Sequence, residues 1–294
     1  KLAAYLEYCE YRKQLDKKTL KAYRIDLRQY FEHVNADEPD KEKIEEFVTY
    51  LHKSYKQKTV KRKIASMKAF YNYLEECEII AESPFRKIKV KFKENLILPR
   101  IIPREEIEHL LTHMYGCLQQ ESETVYKYCL RDVAVIEIFF ATGARVYEIS
   151  NIRAENVNLN TGLIQLMGKG AKERYVQIGS TSVLNILRKY YAENRAAIKK
   201  SGYFFVNGRG NRYTEQSIRL MLKKYTAQAG IERNITPHMF RHSFATYLIE
   251  EGVDISCVQR ILGHSSIKTT QIYIHVAARK QAEILRDMHP RNNM

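Results

Sequence analysis

The chain contains no apolar run of membrane-spanning length. Its longest, Val-Ala-Val-Ile, Glu137 and Ile-Phe-Phe-Ala, falls well short of the ~20 residues needed to cross a bilayer. No signal peptide opens the sequence, and Lys1 is not an initiator Met. The expectation is a cytoplasmic protein with no membrane partner and with residues missing before Lys1. Cysteine is scarce: Cys9, Cys77, Cys117, Cys129 and Cys257 are odd in number, widely spread and never paired as C-x-x-C. That argues against a disulfide framework or a Cys-rich zinc site and fits a reducing compartment. No internal repeat or low-complexity tract is found. A hydrophobic content of 45% excludes a disordered chain or a collagen-like fibre. A length of 294 residues predicts about two domains.

Positive charge is in excess. The 49 Lys and Arg outnumber the 34 Asp and Glu, for a net charge of +15, which favours a polyanionic partner, nucleic acid before anionic membrane. The first hundred residues carry 23 basic and 16 acidic side chains and the remainder 26 and 18, so the first third is the more densely basic. Residues 51–70 hold seven basic side chains and no acidic one.

Hydrophobic spacing predicts four helices before residue 80. The clearest starts near Thr19, with Tyr23, Leu27, Tyr30, Phe31 and Val34 on one face and Lys21, Arg24 and Arg28 on another. The fourth repeats this design, with Val60, Ile64, Met67, Tyr71 and Leu74 against Lys58, Lys61, Arg62 and Lys68. A single basic face is commonly just solvated. Two in one small domain favour a surface that tracks phosphates, and these seven cations are the candidate DNA-binding residues.

Ser83-Pro84, the basic stretch at 86–93, Pro99 and Pro103 resist helix formation. The expected layout is a helical domain at 1–82, a basic linker at 83–103 and a second domain at 104–294. The second domain reads as mixed: a buried helix through Val133–Ala141 ending at Gly143, then short antiparallel strands at 157–159, 163–167 and 174–178. Thr236-Pro237 should open a helix that stops before Gly252, Asp254 should cap the next, and an amphipathic helix from about Ala277 closes the chain. The fold class is therefore mostly α with a small three-stranded antiparallel sheet.

Polar residues beside these apolar runs are the candidates for chemistry. Arg145 follows the glycine that ends the apolar helix, and Lys169 sits between two glycines at a strand turn. His238 and Arg241, three apart, share a helix face; His264 follows Gly263, and Tyr273 lies in Thr-Thr-Gln-Ile-Tyr-Ile-His. Taken singly, each has a plain reading as a cap, a hairpin tip or a packing residue. His238 and His242 are also spaced as a metal pair, but no carboxylate lies between them and Arg241 would repel a cation.

Together, in order and spacing, four segments resemble the tyrosine site-specific recombinases, or phage-integrase family, especially its Xer-like and mobile-element members. They are Ala-Thr-Gly-Ala-Arg-Val-Tyr-Glu-Ile (141–149), Gly-Lys-Gly-Ala-Lys-Glu-Arg (168–174), Thr-Pro-His-Met-Phe-Arg-His-Ser-Phe-Ala-Thr (236–246) and Leu-Gly-His-Ser-Ser-Ile-Lys-Thr-Thr-Gln-Ile-Tyr-Ile-His-Val (262–276). The resemblance spans essentially the whole chain, since residues 1–80 are similar to the family's helical core-binding domain. It implies a two-domain clamp on double-stranded DNA, an all-α core-binding domain joined to an α+β catalytic domain. It also implies catalytic roles for Arg145, Lys169, His238, Arg241, His264 and the nucleophile Tyr273, with Glu148 in support.

These residue types suit the implied reaction. Attack on a phosphodiester passes through a phosphorane with added negative charge, which Arg145 and Arg241 can meet with planar, directional hydrogen bonds. The two histidines can donate further bonds or move the phenol proton. Tyr273 attacks, and its phenolate also leaves readily. Lys169 can protonate the departing 5′ oxygen. No metal or other cofactor is expected, because the arginines supply the electrostatics and the 3′-phosphotyrosyl link keeps the bond energy. The resemblance further implies a monomer in solution and a homotetramer on two DNA sites, the helix after Ala277 packing on a neighbouring protomer. The expected activity is recombination through a Holliday junction that integrates or excises a mobile element, with an Xer-type dimer resolvase as the alternative. A type IB topoisomerase is the nearest enzymatic rival, and a DNA-binding accessory protein without chemistry the rival of another class. No aromatic-basic RNA-recognition motif is present.

Overall fold

The computed structural model describes residues 1–34, 41–86, 88, 90, 92, 100–119, 122–168, 173–263, 286 and 291. These are mostly α-helical with one three-stranded antiparallel sheet, and the chain divides into two units, Lys1–Asn95 and Leu96–Met294.

In the first unit, α1 (Leu2–Glu7) runs on through a π-helical turn at Tyr8–Arg12 and is followed by α2 (Lys17–Val34), α3 (Lys41–Ser54) and α4 (Gln57–Glu76). Helix α2 begins two residues before the expected Thr19, because the Asp16 carboxylate accepts from the backbone N–H of Lys18 (2.9 Å) and Thr19 (3.1 Å). The apolar stripes pack as their spacing requires. Leu27, Tyr30 and Val34 of α2 and all five stripe residues of α4 are buried, while Tyr23 and Phe31 are half-buried. The Tyr30 and Tyr71 hydroxyls meet at 2.8 Å, so neither is buried without a partner. Asp26, an acid on the first of the basic helices, is buried as well. It accepts from Arg62, from Lys63 at 3.0 Å and from Ser66 at 3.2 Å, all on α4.

Both ends of the 83–103 stretch are packed. Pro84–Arg86 forms a short 3-10 turn, and Phe85 and Ile88 enter the first unit's core. Ile102 is buried in the second unit, its N–H donating to Ser243 Oγ at 2.8 Å.

The second unit is built around α6 (Glu123–Thr142), which is apolar on all sides from Val133 to Phe139 apart from Glu137. Such a helix can only be central. It packs against α5 (Arg104–Gly116), α8 (Thr181–Ser201) and α10 (Pro237–Glu250). Each large α6 side chain buried there contributes about 1.5–3 kcal/mol. After α6 come α7 (Val146–Ser150) and the sheet, β1 (Val157–Asn158), β2 (Leu163–Met167) and β3 (Glu173–Gln177), in the order β1-β2-β3. The outer strands differ by a residue from the expected spans. Helices α9 (Glu215–Gln228) and α11 (Ile255–Leu262) are the remaining α-helices among the described elements. Among the described residues no helix is long and apolar enough to cross a membrane. The closing helix expected from Ala277 lies outside the described residues, apart from Arg286.

Candidate active site

Helix α6 ends where Gly143 turns left-handed, at φ +58°. A Cβ there would lie 2.5 Å from the Phe244 ring and 2.8 Å from the Leu262 side chain, so both conformation and space require glycine. This turn delivers Arg145 to the N-cap of α7. Arginine has no side-chain acceptor for an N-cap bond. Glu148, three residues on, instead reaches back and accepts from the Arg145 backbone N–H at 2.7 Å.

The Glu148 carboxylate is 1% exposed and carries four hydrogen bonds. Besides the backbone bond, Arg145 Nη1 donates to Oε1 at 2.8 Å. Arg174 on β3 donates from Nη1 to Oε1 at 2.6 Å and from Nη2 to Oε2 at 2.8 Å, a two-pronged pair. Burial pushes the Glu148 carboxyl up, but the hydrogen bonds and charge of Arg174, then of Arg145, outweigh it and hold the pKa below the ordinary value.

Helix α10 supplies the other half of the site. Thr236 occupies the N-cap position and Pro237 opens the helix, but the Thr236 side chain makes no capping bond, a departure from the expected cap. Asp254 does cap α11, accepting from the N–H of Ser256 and Cys257. Arg241 is 5% exposed and spans two helix ends: Nη1 donates to the Gly143 carbonyl at 2.9 Å and Nη2 to the Leu262 carbonyl at 2.7 Å. A charge buried this deeply is tolerated because helix C-terminal carbonyls carry partial negative charge. His238, one turn earlier, is exposed. Burial pushes the His242 imidazole down, and the charges of His238 and Arg241 push it further. Among the described residues no three His, Cys, Asp or Glu side chains gather as a metal ion would need.

Of the residues expected at the site, Arg145, Glu148, His238 and Arg241 are described. Arg145 contacts Glu148, and Arg241 holds the carbonyl two residues before Arg145. Lys169, His264 and Tyr273 lie outside the described residues. Arg174 was missed. Its signal was parity: in the strand Arg-Tyr-Val-Gln-Ile it shares a face with buried Val176 and pairs in register with buried Leu166, so it had to point inward.

The basic faces of the first unit are arranged as expected, with one correction. Lys21, Arg24, Arg28, Lys58, Lys61 and Arg62 are exposed and Lys68 is half-buried. Arg62 is not simply solvated, however, because the buried Asp26 carboxylate holds it. Lys61 lies 5.8 Å over the Phe92 ring.

Residues 100–280 match the model of the phage integrase family, and residues 2–77 match that of the phage integrase N-terminal SAM-like domain. The chain is 46% identical to a tyrosine recombinase of Agathobacter rectalis, over 99% of this chain and 97% of that protein. It is 34% identical to the tyrosine recombinase XerD of Listeria innocua, over 98% and 97%. A solved structure of the XerH site-specific recombinase bound to a palindromic difH substrate has the same fold, with a TM-score of 0.77 over 98% of this chain and 85% of that one, at 23% identity. The chain belongs to the phage integrase family and is a tyrosine recombinase, an enzyme that breaks and rejoins DNA strands through a tyrosine.

Proposed function

We propose that the protein is a site-specific recombinase acting on double-stranded DNA in the cytoplasm, integrating or excising a mobile element. Its first unit grips the duplex through Lys21, Arg24, Arg28, Lys58, Lys61, Arg62 and Lys68, and its second unit does the chemistry. The Tyr273 phenol gives its proton to His238 or His264 as its oxygen attacks the scissile phosphorus, and the 5′ oxygen leaves, taking a proton from Lys169. Arg145 and Arg241 neutralise the non-bridging oxygens, assisted by His238 and His264, and Glu148 steadies Arg145. The 3′-phosphotyrosyl ester then receives a partner strand's 5′ hydroxyl, which forms a Holliday junction and releases the phenol.

The observation that carries this reading is the pairing of two differently held guanidiniums. Arg241 is fixed on the carbonyls of Gly143 and Leu262, and Arg145 is steadied by Glu148 while its side chain stays 38% exposed. A cation that is held yet still reachable suits the added negative charge of the phosphorane, which appears only during reaction.

The test uses the full chain and a duplex it has selected from a randomised pool. Two such duplexes of different length should yield recombinant lengths. A protein that relaxes a supercoiled plasmid without exchanging strands would be a topoisomerase. One that binds without cleaving would be an accessory factor. Assembly is tested in parallel: the free protein should be a monomer and the protein on paired sites a tetramer. Removing residues 278–294 should spare binding to a single site and abolish exchange, whereas normal exchange by the truncated chain would contradict the assembly role.

A further inference from the structure

We propose that Arg174 is a positioning residue for strand cleavage: by occupying both oxygens of Glu148 it keeps Arg145 from folding onto that carboxylate and leaves its guanidinium turned to the scissile phosphate. This rests on the role proposed above for Arg145 and extends it to Arg174.

The bond pattern motivates it. Each Glu148 oxygen accepts one bond from each arginine, the backbone N–H of Arg145 serving one of them. The two guanidiniums are nevertheless unequal. Arg174 uses both terminal nitrogens on the carboxylate, while Arg145 uses Nη1 alone among the described residues. Its side chain is 11% exposed against 38% for Arg145. The deeper arginine therefore takes the two-pronged geometry and the shallower one keeps donors in reserve, since a guanidinium has five.

Without Arg174, the Glu148 carboxylate, 1% exposed in the intact chain, would lose two of its four hydrogen bonds. A buried carboxylate draws in the nearest cation, and the geometry it prefers with arginine is the fork. Arg145 is that cation, and a fork on Glu148 would consume the donors a phosphate needs.

Arg174 also touches the far side of the site. Its Cδ lies 3.0 Å from where a Cβ on Gly263 would stand, and Gly263 is the left-handed residue that ends α11, next in sequence to His264. One side chain thus joins the strand after Lys169, the carboxylate behind Arg145 and the residue before His264. Lysine could supply the charge but not the fork.

The experiment measures single-turnover cleavage by the full chain on saturating selected duplex, with a phosphodiester or a methylphosphonate at the scissile position. The methylphosphonate carries one negative charge fewer, so it depends less on correctly aimed cations. Arg174→Met should cleave the phosphodiester about 30-fold slower than wild type, and the gap should close to about 3-fold on the methylphosphonate. Arg174→Lys, which keeps the charge but not the fork, should be about 5-fold slower than wild type on the phosphodiester and closer to it on the methylphosphonate. It carries the test if Arg174→Met does not melt as a folded protein, and a wild-type rate on the phosphodiester would then overturn the inference. Arg145→Ala is the reference and should show a larger gap, about 100-fold, that also narrows. A folded Arg174→Met that cleaves at the wild-type rate, or equally slowly on both substrates, overturns the inference while leaving Arg145's role intact. If Arg145→Ala shows no narrowing, the reading of Arg145 fails and this inference fails with it.

Discussion

Asp26 in the first unit and Glu148 in the second share a chemical description. Each carboxylate is buried, each is held by two cations, and in each case one cation is deep and the other shallow. Side-chain exposures are 5% and 46% for Lys63 and Arg62, and 11% and 38% for Arg174 and Arg145. They differ in what the carboxylate ties together. The bonds of Asp26 run to side chains of α4, so it cross-links two helices of a bundle. Two of the bonds of Glu148 come from Arg145 itself, at the N-terminus of α7, two residues past the carbonyl that holds Arg241. The same ion-pair chemistry joins two helices in one unit and holds the Arg145 guanidinium at a helix N-terminus in the other. A buried shared carboxylate is therefore no functional signature by itself; the surroundings of its shallower cation distinguish the two.

The largest expected difference between them is in rate. Glu148→Gln should slow single-turnover cleavage by about 100-fold. Asp26→Asn should leave cleavage on saturating DNA within about 3-fold of wild type while costing about 3 kcal/mol in a denaturant melt, because the buried Lys63 loses its counter-charge. Equal slowing by the two substitutions would end the distinction.

A smaller effect separates Glu148 by pH. Its carboxyl is held below the ordinary value in the folded protein, so the stability it contributes is complete above the unfolded pKa of about 4.3 and is lost as pH falls through the folded pKa. Glu148→Gln has no such proton to take up. Its stability deficit against wild type should accordingly shrink in melts below about pH 4, and a deficit independent of pH would contradict the assignment.

The smallest effect lies within the first unit, where the exposed cations and the buried Lys63 should behave differently towards DNA. Arg28→Ala should lower the slope of log binding constant against log salt by about 0.9, the worth of one phosphate contact. Lys63→Met should leave that slope unchanged, whatever it does to stability. A slope that falls equally for both would mean that burial does not sort the cations that meet DNA.

Much of this was legible in the sequence because periodicity reports one face at a time. The stripes of α2 and α4, the glycine that ends α6 and the three short strands all follow from residues a few places apart. Arg145, Glu148, His238 and Arg241 are singled out by motif order, which a single chain displays directly. What stayed hidden was partnership across distance. Nothing local says that Asp26 meets Lys63, 37 residues on, or that Arg174 meets Glu148, 26 residues back. Arg62 counted as a free surface cation for the same reason. Thr236 shows the converse limit, since a good capping residue in the right position makes no side-chain capping bond.

The central claim is that Tyr273 attacks DNA. Full-length protein mixed in EDTA with a nicked duplex of the selected sequence should leave a covalent adduct that resists denaturation. Peptide mass mapping should place the phosphotyrosyl link on Tyr273, and Tyr273→Phe should give no adduct. An adduct formed by Tyr273→Phe, or mapped to any other residue, would contradict the account.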